Sequence, residues 1–241
     1  MATMTDKVQS SPVVHTLKEV MAQNQCPLTK EYLRRSNQIA IRINNDYKTW
    51  SEIFNSMSSD QGLGFDQGLG LVMGGVVTAF IAMIANTSFS TLFSTLFNGA
   101  LAAIPSSISG GYDIVRSNFP KTAAKELENK LPLIKKEMEQ AGLNEGDKDR
   151  ITSLFNREIR LLQTLAHYDE VQGNSKLGIA LSSAVWMIGK STGFPLLPTL
   201  GVVGGIGCAL TTAMRFGMNI GLNPQEEANH IKSEIKHLNI L

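Results

Sequence analysis

Two Glu-x-x-His pairs, Glu227/His230 and Glu234/His237, stand seven residues apart near the C-terminus. Di-metal carboxylate bundles use that spacing, because it sets a carboxylate and an imidazole on the same side of a helix, but their pairs come from different helices facing across a core. Here both pairs fall on one short terminal helix whose Ala228, Ile231, Ile235 and Leu238 already share a docking face. The pattern therefore predicts a solvated helical face and no metal site. Gly64-x-x-x-Gly68-x-Gly70 has the spacing of a dinucleotide-binding turn, yet no β-branched strand precedes it and no alternation of strands and helices follows. None of the tyrosines at 32, 47, 112 and 168 has a lysine four residues later. The phosphate loop GxxxxGK[ST] and the zinc motifs HExxH and CxxC do not occur. His167-Tyr168-Asp169-Glu170 carries no specific chemistry. No catalytic residue, cofactor site or metal ligand is assigned, and the expectation is a protein that is not an enzyme and needs no cofactor.

The more ordered pattern is made of small residues. Gly70, Gly74, Thr78 and Ala82 recur at steps of four, and so do Gly201, Gly205, Ala209, Ala213, Gly217 and Gly221. That spacing lines small side chains into one row along a helix, so a second backbone can approach closely and dispersion contacts hold the pair. Both rows are expected to pack helices together, either in a bilayer or at tight crossings of a water-soluble bundle.

The elements that must carry these rows are strongly apolar. From Asp66 to Asp113 there is no charged side chain over 46 residues, and between Arg215 and Lys190 there is none again. A first apolar helix is expected over about 68–86. A second, richer in Ser and Thr, should end near Pro105 and Gly110-Gly111, and the two form a hairpin suited to a hydrocarbon core of about 30 Å. Residues 177–189 read as a short re-entrant or buried helix, because thirteen residues do not span a bilayer. Leu196–Met214 reads as a full apolar helix.

The remaining segments are amphipathic. Leu33, Ser36, Ala40, Ile43, Tyr47, Trp50 and Phe54 share one face of a helix expected over about 29–58. Tyr47, Trp50 and Phe54 serve either as an interfacial aromatic belt before the first apolar segment or as core packing. The tandem Asp60-Gln-Gly-Leu-Gly-Phe65 and Asp66-Gln-Gly-Leu-Gly-Leu71 reads as a joint. Leu127, Leu131, Ile134 and Met138 form one stripe, Ile151, Leu154, Phe155, Ile159, Leu162 and Leu165 another, and Gly142 a stop between them. The organisation expected is a disordered 1–12, an amphipathic segment with its joint over 13–66, an apolar hairpin over 67–112, a polar helical hairpin over 113–176, an apolar Gly-rich hairpin over 177–222 and an amphipathic helix over 223–241.

Composition bounds the partners. Twenty-two Lys and Arg against 21 Asp and Glu give a net charge of +1, so no global field draws the chain to nucleic acid. Charged residues are 18% of the sequence, below the ~25% of ordinary soluble domains. Cys26 and Cys208 do not form a disulfide framework, and the polar N-terminus lacks the apolar core of a secretory signal. The mildly acidic last sixteen residues are similar in composition to the C-terminal signals of bacterial type IV secreted effectors, a similarity confined to the tail.

Together these features predict an all-α fold: a helical membrane protein with two apolar Gly/Ala-rich hairpins and amphipathic helices outside the bilayer. Its expected partners are the lipid bilayer and either further copies of itself or a helical protein, with the polar segments on the cytoplasmic side. Pore, membrane-remodelling and secreted-effector roles all fit. The alternative is a soluble all-α bundle that buries its apolar hairpin and binds a partner or inserts on a trigger.

Overall fold

The computed structural model describes residues 16–46, 92–217 and 224–238, with side chains placed over 16–46, 99–211 and 224–238. The fold is all-α. Six helices are described: α1 Leu17–Ala22, α2 Pro27–Asp46, α3 Leu92–Gln140, α4 Glu145–Thr192, α5 Leu196–Gly217 and α6 Pro224–His237. At about 1.5 Å per residue, α3 and α4 are rods of roughly 70 Å. They lie antiparallel, as the facing pairs Gly99 with Met187, Asp113 with Lys176, Arg116 with Asp169 and Gln163 with Glu128 require.

Local chemistry sets the turns. Gly142, at φ 65°, supplies the left-handed residue after α3, and the side chain of Asn144 caps α4 by accepting from the amide of Asp147 at 2.8 Å. Gly193, at φ 70°, ends α4 in the same conformation and lets α5 fold back along it. Thr16 and Glu19 form a capping box at α1. The first turn of α2 is capped from outside the helix: the Glu137 carboxylate accepts from the amides of Leu28 and Thr29 and from the Thr29 hydroxyl at 2.6–3.0 Å. This ties α2 to the far end of α3.

Two regions divide these rods. In the polar half, α1, α2, α6 and the joined ends of α3 and α4 surround a core containing Leu33, Ile134, Met138, Ile151, Phe155 and Leu162. Each such apolar side chain contributes about 1.5–3 kcal/mol on burial. Ala228, Ile231, Ile235 and Leu238 bury the inner face of α6. On its outer edge, Arg157 grips Glu227 with two hydrogen bonds of 2.5 and 2.9 Å, and Arg150 reaches Glu234 at 3.1 Å. A carboxyl is buried beside this core: Glu158 is 1% exposed, and burial pushes its pKa up to about 7 against an opposing pull from the Ser36 hydroxyl.

Several helix boundaries differ from those expected. α3 runs unbroken through Pro105, Gly110-Gly111, Pro120 and Pro132. Gly110 makes no turn because the carbonyl of Gly173 lies 2.9 Å from the position a Cβ would take, so its smallness is used for a close helix crossing. Residues 177–189 are no separate re-entrant helix but the last turns of α4, whose continuity is set by packing against both α3 and α5. Among the described residues, the second half of α4 lies between α3, which carries the second arm of the first expected hairpin, and α5. The described part of the helix expected over 29–58 is α2, ending at Asp46. The expected helix 68–86, with Gly70, Gly74, Thr78 and Ala82, and the aromatics Tyr47, Trp50 and Phe54 lie outside the described residues, as does Gly221. Among the described residues, no helix is long and apolar enough to cross a membrane, so the transmembrane spans expected from the sequence gain no support.

Candidate functional site

Beyond Asp113 on α3 and Lys176 on α4, the distribution of polarity reverses. Inward positions on α3 are Ala102, Ser106, Ser109, Asp113 and Ser117, all buried and spaced by three or four residues. Those on α4 are Gln172, Lys176, Ile179, Ser183 and Trp186, with the same spacing. Many outward positions are large and apolar, among them Leu101, Ile104, Ile108 and Val115 on α3, Leu181 and Ile188 on α4, and Leu196, Leu200, Val203 and Leu210 on α5, interspersed with exposed small and polar residues such as Ser107, Thr199 and Gly204. Ser106 and Ser183 are 0% exposed, whereas Ile108, Leu181 and Val203 are 63%, 69% and 64% exposed. Water selects the opposite arrangement, which is the one the polar half adopts.

Small residues let these three rods meet. Gly201 faces the carbonyl of Ser182 and the backbone nitrogen of Trp186, with 2.6 and 2.8 Å between those atoms and a would-be Cβ. Gly205 and Ala209 are buried on the same side of α5. Ala213 and Gly217 lie on the α5 backbone, beyond the placed side chains. On the α3–α4 side, Gly173 packs on Ile114 and on the Gly110 carbonyl, and Gly99 packs on Met187. Gly207 and Gly111 meet nothing within 4 Å.

At the junction of the two halves lies a buried set of charges that sequence reasoning did not single out. Lys176 donates to Asp113 at 2.5 Å and to the Ser109 hydroxyl at 2.9 Å, and Arg116 pairs with Asp169 at 3.5 Å. The Lys176 and Asp113 side chains are 6% and 7% exposed, and that of Asp169 is fully buried. Buried pairs return little net stability because both charges are desolvated, but removing one partner strands the other at a cost of about 3–5 kcal/mol. The set therefore fixes the register of α3 against α4. Its sequence signal was present, since Asp113 closes the first uncharged run and Lys176 directly precedes the apolar end of α4.

Of the four residues considered for metal binding, Glu227, His230 and Glu234 have arginine partners. Glu227 is held by Arg157, which keeps its carboxyl below the usual range, and both ring nitrogens of His230 lie 3.0–3.1 Å from an Arg157 nitrogen. Among the described residues, no group of three or more His, Cys, Asp or Glu side chains is placed to hold a metal ion. A cleft of about 520 Å³ opens at the α4–α5 turn, lined by Trp186, Lys190, Phe194, Pro198 and Val202 among others. No family model, curated protein or solved structure matches the chain.

Proposed function

We propose that this chain is a non-enzymatic helical membrane protein whose α3–α4–α5 half sits in lipid and whose polar half presents helices to a partner. The observation that supports it is the reversal of polarity along α3 and α4, with serines and paired charges inside and large aliphatic side chains outside. In a bilayer, polar and ionisable groups face the interior of a helix bundle and are paired there, and small residues bring the helices together. Length agrees as well: residues 92–112 of α3 rise about 32 Å and α5 about 33 Å, against a hydrocarbon core of about 30 Å. Positive-inside reasoning puts the polar half, with its lysines and arginines, in the cytoplasm. The outward faces around Gly111 and Gly207 are the surfaces on which a second copy or a helical partner would pack.

A second reading is a soluble bundle that shields the apolar half against a partner and inserts only on a trigger. The complete apolar core of the polar half favours it, since that half is built to stand in water. Expression without detergent, followed by high-speed centrifugation and alkaline carbonate extraction, separates the two. Retention in the carbonate-washed pellet is the expected result, and a monodisperse, detergent-free protein overturns the membrane reading.

A further inference from the structure

In the polar half, α2 and α6 rest on the two rods as a pair. α2 packs more closely on α6 than on α3 or α4, and α6 packs more closely on α2 than on α4. The polar fastenings of this pair to the rods are Glu137 on the amides of Leu28 and Thr29, Glu126 on Tyr32 and Arg35, and Arg157 and Arg150 on Glu227 and Glu234. Glu158 of α4, next in sequence to Arg157, lies under α2. It is buried, and the group that reaches it from α2 is the buried hydroxyl of Ser36. The charged groups on the elements packed around it are directed elsewhere. Arg35 of α2 is on Glu31 and Glu126, while Glu227, His230 and Glu234 of α6 are on Arg157 and Arg150. Glu126 and Glu137 of α3 are both on α2. None of these charges acts on the Glu158 carboxyl, which is governed by burial and by Ser36. A carboxylate sealed there has no cation to offset its lost hydration, so the closed pair holds it as the neutral acid. It ionises freely only when water reaches it, and α4 itself is held along its length by α3.

We propose that Glu158 is a proton-controlled latch: protonated, it lets the α2–α6 pair close on the rods, and ionised, it favours a form in which the pair lifts and uncovers the apolar side chains of α3 and α4. Those side chains include Ile134, Ile151 and Phe155, which share one core with Leu33 and Ile43 of α2 and Ile231 and Ile235 of α6. The direction follows from the proton. The closed form holds it up to about pH 7, whereas an opened, hydrated carboxyl releases it near the ordinary 4.5. Closure is therefore complete in acid, weakens as pH rises towards 7 and changes little beyond. The latch lies wholly in the polar half, so it does not depend on the membrane reading.

The test uses a thiol the chain already has. Cys26 directly precedes α2, is buried and faces the Glu137 carbonyl, so it reports lifting of α2 from α3. The full chain with Cys208→Ser, which leaves this one thiol, is labelled with excess maleimide at pH 6 and pH 8, with and without Glu158→Gln. Dividing the labelling rate by that of the Glu158→Gln protein at the same pH removes the thiol's own ionisation. The quotient should rise about tenfold from pH 6 to pH 8, the change that a carboxyl pKa of about 7 when closed and 4.5 when open produces. An unchanged quotient overturns the latch. Where Glu158→Gln alters the helix content seen by circular dichroism, Ser36→Ala takes its place. It removes the one group that favours the charge, so its labelling should exceed that of Ser36 protein by more at pH 8 than at pH 6, and an equal ratio at both overturns the latch. Urea separates lifting of the pair from unfolding of the whole: labelling of Cys26 should steepen with urea much less than global unfolding does, because less surface is exposed. Labelling with the full slope of global unfolding overturns the α2–α6 pair as the moving part.

Discussion

Replacing Glu158 by Gln should stabilise the protein above neutral pH and flatten its stability between pH 5 and 8. Glu158 is a carboxyl buried beside an apolar core, with its pKa raised from the ordinary 4.5 to about 7 chiefly by burial. The folded chain therefore binds a proton that the unfolded chain releases. Below about pH 4.5 both states are protonated and folding bears no penalty. Between about 4.5 and 7 stability falls as pH rises, and above 7 the loss levels off at about 3 kcal/mol, from ~1.4 kcal/mol per unit of pKa difference. For a chain of this size that corresponds to about 6–12 °C in the unfolding midpoint. Gln matches the shape and cannot ionise, so its midpoint should stay level across the same window and lie above wild type at pH 8. Thermal unfolding in mild detergent, followed by circular dichroism at half-unit pH steps, reads both effects. Parallel pH profiles for wild type and Glu158→Gln would show that this side chain ionises without cost in the folded state.

Gly201→Ala should destabilise by more than 1 kcal/mol because its methyl group meets the Ser182 carbonyl and the Trp186 backbone, whereas Gly207→Ala, facing open space, should add about 0.5–1 kcal/mol through helix propensity; urea unfolding of the two variants compares them directly, and equal effects would remove the packing asymmetry. Lys176→Met alone should cost about 3–5 kcal/mol by removing the cation that faces the buried Asp113 carboxylate, and Lys176→Met with Asp113→Leu should recover most of it, a double-mutant cycle that fails if the double variant is as unstable as the single. Arg157→Ala should loosen α6 by about 1 kcal/mol, since the pair with Glu227 is partly exposed, and hydrogen exchange should quicken over residues 224–238 while α3 is unchanged. Because Arg157 depresses the Glu227 pKa, this contribution is present above the ordinary carboxylate range and fades as pH falls through the lowered value, so the exchange difference between Arg157→Ala and wild type should narrow in acid.

Helical periodicity made the polar half legible from sequence. Leu33, Ile43, Leu127, Ile134, Phe155 and Ile231 recur at helical spacing, and burial of one apolar face requires that spacing. The Gly142 stop was legible for the same reason, since a left-handed residue is most easily supplied by Gly. Two things were not legible. Gly110-Gly111 and Pro105 look like helix breakers, but in α3 their backbones are held by tertiary packing along α4, which outweighs a local propensity of a few kcal/mol. The charged junction was missed because Asp113 and Lys176 stand 63 residues apart, and only the antiparallel register of two long helices brings them together. The capping box of α1 stands in the sequence as Thr16-Leu-Lys-Glu19, a signal too short to set a helix apart without the structure.

The reversal of polarity is tested most directly by spin labels on single cysteines in a background lacking Cys26 and Cys208. Labels placed outward at Ile108, Leu181 and Val203 and inward at Ser106 and Ser183 are measured in reconstituted vesicles against dissolved oxygen, which partitions into lipid, and a water-soluble nickel chelate. The outward labels should relax strongly with oxygen and weakly with nickel, while the inward labels should be shielded from both. Strong relaxation of Ile108, Leu181 and Val203 by the nickel chelate would place that surface in water and contradict the membrane reading.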